Sequence, residues 1–117
     1  MPPVSKLARL IAQQEGFGKP GAIPTTHHNP GDLRHSPHSQ HSPDKPNAIG
    51  AIDTDEHGWQ DLERQLHLYA NQGMTLAQMV AVYAPPTENN TGAYLRFITT
   101  GLGLPPTALV SDALKIA

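Results

Sequence analysis

Val4-Ser5-Lys6-Leu7-Ala8-Arg9-Leu10-Ile11-Ala12-Gln13-Gln14-Glu15-Gly16-Phe17-Gly18 is the most regular stretch of the chain. Val4, Leu7, Leu10 and Ile11 recur at the spacing that places side chains on one face of a helix, with Lys6, Arg9, Gln13 and Gln14 on the other. The pattern predicts an amphipathic helix over 4–15. Gly16 or Gly18 stops it, because glycine accepts the left-handed cap, and Pro20 cannot continue it. The helix therefore ends on a carboxylate, Glu15, at the pole of the helix dipole least favourable to negative charge, a placement that asks for a reason.

After this helix, residues 18–46 carry no helical pattern and are crowded with Pro, Gly, Ser, Asn and His, which predicts a long irregular loop. Loops of this length in small domains are usually functional or disordered. Leu33-Arg34 and the run Ala48-Ile49-Gly50-Ala51-Ile52 carry the only β signal, and they can pair as a small hairpin. Thr54 caps a second helix opening on Asp55 and Glu56, with Trp59, Leu62, Leu66 and Tyr69 on one face and Gly73 as its stop. Thr75 caps a third, carrying Leu76, Met79, Val80 and Tyr83 until Pro85-Pro86. A fourth spans Thr91 to Thr100 with Tyr94, Leu95 and Ile98 as its stripe and Gly101 as its stop, and a short terminal helix carries Leu109, Val110 and Leu114. The expected class is α+β, predominantly α, with four to five helices and a small β-hairpin beside a cleft. At 117 residues the chain fits a single domain, 1–117, with the 18–46 loop forming part of that cleft.

Composition narrows the function. Twelve prolines, ten glycines and an apolar fraction of 38% imply a core built from few segments. A formal charge of −2 with no run of lysine or arginine gives no support to nucleic acid or an anionic membrane as partner. The absence of cysteine removes a disulfide framework, a thiol nucleophile and any thiolate metal site. No window is apolar enough to span a membrane, and Met1-Pro2-Pro3 leads straight into the first helix without the features of a secretory leader. A substrate outside the cytoplasm would then need another delivery route.

Glu15 suits general-acid chemistry. Glycoside hydrolysis needs a carboxylic acid still protonated near neutral pH, and partial burial in apolar surroundings raises a glutamate toward that range. A solvated glutamate at a helix end is the alternative on spacing alone.

The run Ile11-Ala12-Gln13-Gln14-Glu15-Gly16-Phe17, followed by Asn29-Pro30-Gly31-Asp32-Leu33-Arg34, resembles phage and bacterial proteins of the lysozyme-like superfamily, including soluble lytic transglycosylases and goose-type lysozymes. Val82-Tyr83-Ala84-Pro85-Pro86-Thr87-Glu88-Asn89-Asn90-Thr91 and Tyr94 resemble the segment with which phage-associated members line the far side of the groove. The resemblance implies that Glu15 is the catalytic acid, that the β-1,4 bond between N-acetylmuramic acid and N-acetylglucosamine in peptidoglycan is cut, and that no cofactor is used. The product would come from lytic transglycosylase or muramidase chemistry. It implies action at the cell wall as a monomer, alone or within a larger phage or secretion assembly, with delivery by holin, virion or secretion apparatus. A non-catalytic peptidoglycan-binding or virion structural module of the same fold is the alternative. The chain departs from the family in lacking the Gly-Leu-Met-Gln segment of many lytic transglycosylases, and in having Asp32 where the Asn-Pro-Gly motif usually continues with asparagine.

Asp32 admits two readings. It is either a second catalytic carboxylate, roughly 5 to 9 Å from the acid as hydrolases require, or an Asx-turn residue supporting Leu33-Arg34. Without a second carboxylate, the glutamate would protonate the leaving oxygen and then act as base while the muramic 6-hydroxyl closes an anhydro ring. Tyr83 is either a helper that hydrogen-bonds the glutamate or a sugar, or a core tyrosine. Asn29, Arg34, Glu88, Asn89, Thr91 and Tyr94 are candidate substrate-binding residues, with Thr91 also placed to cap the fourth helix. Trp59 could stack on a sugar, but its spacing with Leu62 and Leu66 favours the core. His27, His28, His35, His38 and His41 crowd one loop without the spacing of a zinc site, so no metal is assigned; they could make loop order or activity depend on pH.

Overall fold

The computed structural model describes residues 4–117, so the leader reading of Met1-Pro2-Pro3 lies outside the described residues. The fold is predominantly helical: α1 Lys6–Glu15, α2 Ile23–Thr26, α3 Asp55–Asn71, α4 Leu76–Tyr83, α5 Thr91–Leu102 and α6 Val110–Ala113. No helix among the described residues is long and apolar enough to cross a membrane.

Local chemistry accounts for the helix starts. Ser5, rather than Val4, begins α1: its hydroxyl accepts from Ala8 N at 3.2 Å, and its own N–H and O–H donate to Glu63 Oε1 at 2.8 and 2.6 Å, pinning α1 to α3. Thr54 accepts from His57 N at 3.1 Å, and Thr75 forms a reciprocal capping box with Gln78. The predicted apolar faces become the core, with Leu7, Ile11, Leu62, Leu66, Leu76, Met79, Val80, Ile98 and Val110 all fully buried. Each contributes about 1.5–3 kcal/mol on leaving water. α1 packs on α5 and α3, α5 on α4, and α6 on α3. Trp59 joins the margin of this core, edge-on to Phe17 with ring centroids 5.3 Å apart.

Three expectations are corrected. The 18–46 loop holds one helical turn, α2, started by Pro24, whose missing N–H costs nothing in the first turn. Gly101 does not stop the fourth helix, which runs to Leu102 and is capped by Gly103 in the left-handed conformation. Gly101 is instead the point where α1 approaches α5: a Cβ there would lie 2.7 Å from Leu10 Cδ2. Asn90, not Thr91, caps α5, its Oδ1 accepting from Ala93 N at 3.1 Å, while the Thr91 hydroxyl donates to Ala84 O at 2.7 Å.

Extended pairing is sparse. Gln40 and Ala51 form one antiparallel bridge through hydrogen bonds of 2.8 and 3.0 Å, and Gly50 N donates to Leu33 O at 2.9 Å. Leu33-Arg34 thus meets the 48–52 run through a single bond, and Gln40 supplies the residue opposite Ala51. A second bridge, Thr75 to Leu109, ties the chain before α6 to the start of α4.

Candidate active site

Glu15 sits on the last turn of α1, where the backbone passes into Gly16 at φ 93°. There it borders a cleft of about 590 Å³, lined by Gly31, Asp32, Leu33 and Arg34 on one wall and by Val82, Tyr83, Pro85, Glu88 and Asn89 on the other, with Gln65 and Tyr69 at its floor. The volume is within the range of sites that hold a small ligand or part of a chain-like one.

The turn Asn29-Pro30-Gly31-Asp32 carries the second carboxylate into this cleft. Asp32 N donates to Asn29 O at 3.0 Å, and Asp32 itself takes φ 53°, a left-handed conformation that aspartate tolerates better than most residues. Asp32 thus closes the turn through its backbone and lines the cleft, while the side chain that supports Leu33 is that of Asn29. The Asp32 carboxyl lies close enough to that of Glu15 for each to shift the other. No protein N–H or O–H among the described residues donates to Asp32 Oδ1, although that atom is buried.

Burial acts on both carboxyls in the same direction. Burial pushes Glu15 above its ordinary value of 4.5; the Tyr94 hydroxyl opposes this by donating to the carboxylate, and the neighbouring Asp32 adds to the rise. Burial likewise raises Asp32 above 3.8, with the Arg34 charge pulling the other way. Both phenols nearby are pushed up by burial and by the Glu15 charge, so they remain donors at any physiological pH.

The two tyrosines divide their work differently from the sequence expectation. Tyr94, expected to touch substrate, is 2% exposed and donates to Glu15 Oε2 at 2.7 Å. Tyr83, expected as a possible partner of Glu15, donates instead to Gly31 O and so clamps the turn that carries Asp32, while its ring remains part of the cleft wall. Asn29 is corrected from substrate binder to structural hub: it is fully buried, its Nδ2 donates to Leu33 O at 2.7 Å and Gly50 O at 2.9 Å, and its Oδ1 accepts from Leu33 N at 3.0 Å. All its polar groups are engaged. Thr91, bonded to Ala84 O, also lies outside the cleft lining, whereas Arg34, Glu88 and Asn89 line it.

Sequence reasoning did not assign Gln65 or Tyr69 to the cleft, yet both line it. Gln65 and Tyr69 carried a signal: four residues apart, they share a face of α3, and a glutamine beside the apolar stripe marks where that stripe opens onto polar space.

The histidines fasten the long loop to α3. His28 Nδ1 lies 2.7 Å from Asp55, and His38 Nδ1 lies 2.6 Å from Asp61, whose buried carboxylate also accepts from Ser36 Oγ and His38 N at 2.5 and 2.9 Å. His57 pairs with Asp53 at 2.7 Å, and its ring stacks on His38 with centroids 4.0 Å apart. These pairs set the position of the wall that carries Arg34 and His35.

Two consequences can be checked by unfolding. Replacing Asn29 with alanine strands Leu33 N and Gly50 O inside the protein, and should cost about 2–4 kcal/mol in urea denaturation; a loss below about 0.5 kcal/mol would mean the hub is not closed as described. The carboxyl pair gives a pH dependence of known sign. Because folding raises both pKa values, the native state binds more protons than the unfolded chain in the window that opens above 3.8 and 4.5. Stability contributed by the protonated pair is full below that window and is lost as pH rises through it. Asp32→Asn, which keeps a residue suited to positive φ, should melt above the parent near neutral pH, with the gap closing toward about pH 4. An Asn variant that melts below the parent at neutral pH would contradict this.

No protein-family model, curated protein or solved structure matches the chain in comparisons with known proteins.

Proposed function

We propose that this protein is a peptidoglycan-cleaving enzyme with a lysozyme-like fold, acting on the β-1,4 bond between N-acetylmuramic acid and N-acetylglucosamine by lytic transglycosylase chemistry. The observation that carries the proposal is the half-buried Glu15 carboxyl at the edge of an open cleft, held by Tyr94 and pushed above its ordinary value by burial and by Asp32. A general acid needs this combination: a proton retained near neutral pH, a fixed orientation and access to a leaving oxygen.

The anhydro route is the reading in which Glu15 serves alone, first as acid and then as base. Retaining glycosidases hold their two carboxyls about 5 Å apart and inverting ones farther, to admit a sugar carbon or a water. Asp32 lines the same cleft and raises Glu15 by its charge, a role that does not require it to hold a water or a sugar carbon. In the proposed cycle Glu15 donates its proton to the glycosidic oxygen as the bond to the muramic anomeric carbon breaks. The resulting carboxylate then takes the proton of the muramic 6-hydroxyl as that oxygen bonds to the same carbon, which returns Glu15 to its starting state. Asp32 acts through Glu15 as a positioning residue, since its charge keeps the acid protonated. Tyr94 steadies the carboxylate between the two transfers.

Action at the cell wall, delivery by holin, virion or secretion apparatus, and function as a monomer or within a larger phage or secretion assembly follow from this substrate and share its standing as a proposal. Mass spectrometry of fragments released from purified walls tests the reading: 1,6-anhydromuramic ends are expected. Reducing muramic ends would replace the transglycosylase step by hydrolysis, and no released fragments would leave the non-catalytic binding module. Asp32→Asn should also move the alkaline limb of the pH–rate profile to lower pH, because removing the neighbouring charge lowers the Glu15 pKa.

A further inference from the structure

Among the described residues, Arg34 is the only lysine or arginine lining the cleft, against three acids, Glu15, Asp32 and Glu88. Its backbone neighbourhood is held on both sides: Asn29 and Gly50 bond Leu33, and His41 Nε2 contacts the Arg34 carbonyl. Its side chain, by contrast, is half exposed and lightly held. One terminal nitrogen donates to Asn47 O at 3.2 Å, and the other reaches Glu88 Oε1 across the cleft at 3.5 Å, the outer limit of a hydrogen bond. Both partners of that bridge keep more than half of their side-chain surface in water, where an ion pair is worth little. A guanidinium presents five N–H groups and binds a carboxylate best through two parallel bonds, a geometry that the long contact to Glu88 does not achieve.

We infer that Arg34 is the anchor for a carboxylate carried by the ligand, and that Glu88 occupies this position only until a ligand carboxylate displaces it. The inference rests on the proposed function and refines its substrate: the cleft prefers glycan bearing a carboxylate on the sugar next to the scissile bond over neutral glycan of the same length. Arg34 lies close enough to the acid pair for its charge to be felt at Asp32, so an anion bound there sets the rest of the ligand against Glu15. On peptidoglycan the carboxylate has two sources, the lactyl group of unsubstituted muramic acid or the stem peptide attached to it. Glu88 then acts as a selectivity element: a neutral saccharide gains nothing by breaking the bridge, while an anionic one replaces a poor partner with a better one.

Calorimetric titration tests this with three ligands: a neutral N-acetylglucosamine oligomer, a peptide-free alternating glycan with free lactyl carboxylates, and a peptide-bearing glycan. Glu15→Gln serves as the background so that nothing is cleaved. Arg34→Gln should weaken the anionic ligands about tenfold, as expected for a charge-assisted hydrogen bond, and leave the neutral oligomer unchanged. Arg34→Lys should retain part of the preference, and Glu88→Gln should tighten anionic ligands alone. A preference for the peptide-free glycan over the neutral oligomer assigns the lactyl group; a preference confined to the peptide-bearing glycan assigns the stem. Equal losses for neutral and anionic ligands in Arg34→Gln, or no change in any, overturn the inference while the proposed function stands. Failure of all three ligands to bind the parent background overturns both.

Discussion

Glu15→Gln is expected to abolish clearing of purified cell walls, with a rate loss on the order of 10³-fold, the usual worth of a positioned general acid. The substitution is nearly isosteric. Its amide oxygen can still accept the Tyr94 hydroxyl that Glu15 Oε2 accepts at 2.7 Å, so the cleft should keep its shape. What is lost is the proton: an amide does not protonate a leaving oxygen, nor can it take the proton of an attacking hydroxyl. The same change removes a carboxyl whose ionisation burial opposes, so the inactive variant should melt at or above the parent temperature near neutral pH. Activity and stability would then move in opposite directions, as they commonly do where an active site stores an unfavourable arrangement. Turbidity loss of purified walls and a thermal melt on one preparation read both quantities. A variant that clears walls at the parental rate would remove Glu15 from the mechanism, and one that fails to fold would show that the carboxyl serves the structure instead.

Gly58→Ala is expected to cost the most stability of any conservative change. In α3, Gly58 lies against the backbone of the loop that carries the Asn29-Pro30-Gly31-Asp32 turn. A Cβ at this position falls on the His28 carbonyl and comes within 2.7 Å of Pro30 Cδ. Neither obstacle can rotate aside, since one is main chain and the other a proline ring, so either the 28–32 turn lifts off α3 or α3 bends. Overpacking of this kind costs about 3 kcal/mol, or a fall in Tm on the order of 10 °C for a domain of this size. Activity should fall as well, because the displaced turn carries Asp32 and the Gly31 carbonyl clamped by Tyr83. Gly92→Ala is the natural control. A Cβ there meets nothing closer than Asn90 Oδ1 at 3.8 Å, and alanine is the better helix former, so its Tm should hold or rise. If both variants melt alike, the close approach of α3 to the turn is not as tight as described.

Much of the architecture was legible in local pattern. The apolar stripes of α1, α3, α4 and α5 follow helical periodicity, and Thr54 and Thr75 announce two helix starts through side-chain oxygens that reach only a few residues along the chain. Glycine carried less information. Gly73 and Gly101 both follow apolar stripes, yet Gly101 lies inside α5 because Leu10 of α1 packs against the space its missing side chain leaves. Nothing within the window 91–103 reports on Leu10.

The site divides along the same line. Periodicity and capping placed Glu15 at the end of its helix, because both act within a few residues, and the Asn29-Pro30-Gly31-Asp32 turn was readable from residue types that favour turns. Long-range contacts chose among the alternatives that remained. Tyr83 and Tyr94 both sit on apolar stripes, and only the packing of α5 on α1 brings the Tyr94 hydroxyl to Glu15 across 79 positions of sequence. Asn29 became a hub because Leu33 and Gly50 converge on it. The meeting of Asp32 with Glu15 required the loop, α3 and α4 to close around one turn, and the burial that came with it pushed both carboxyls above their ordinary values. Periodicity and capping are properties of neighbouring residues, whereas burial and the shifts it causes exist only once distant segments have packed.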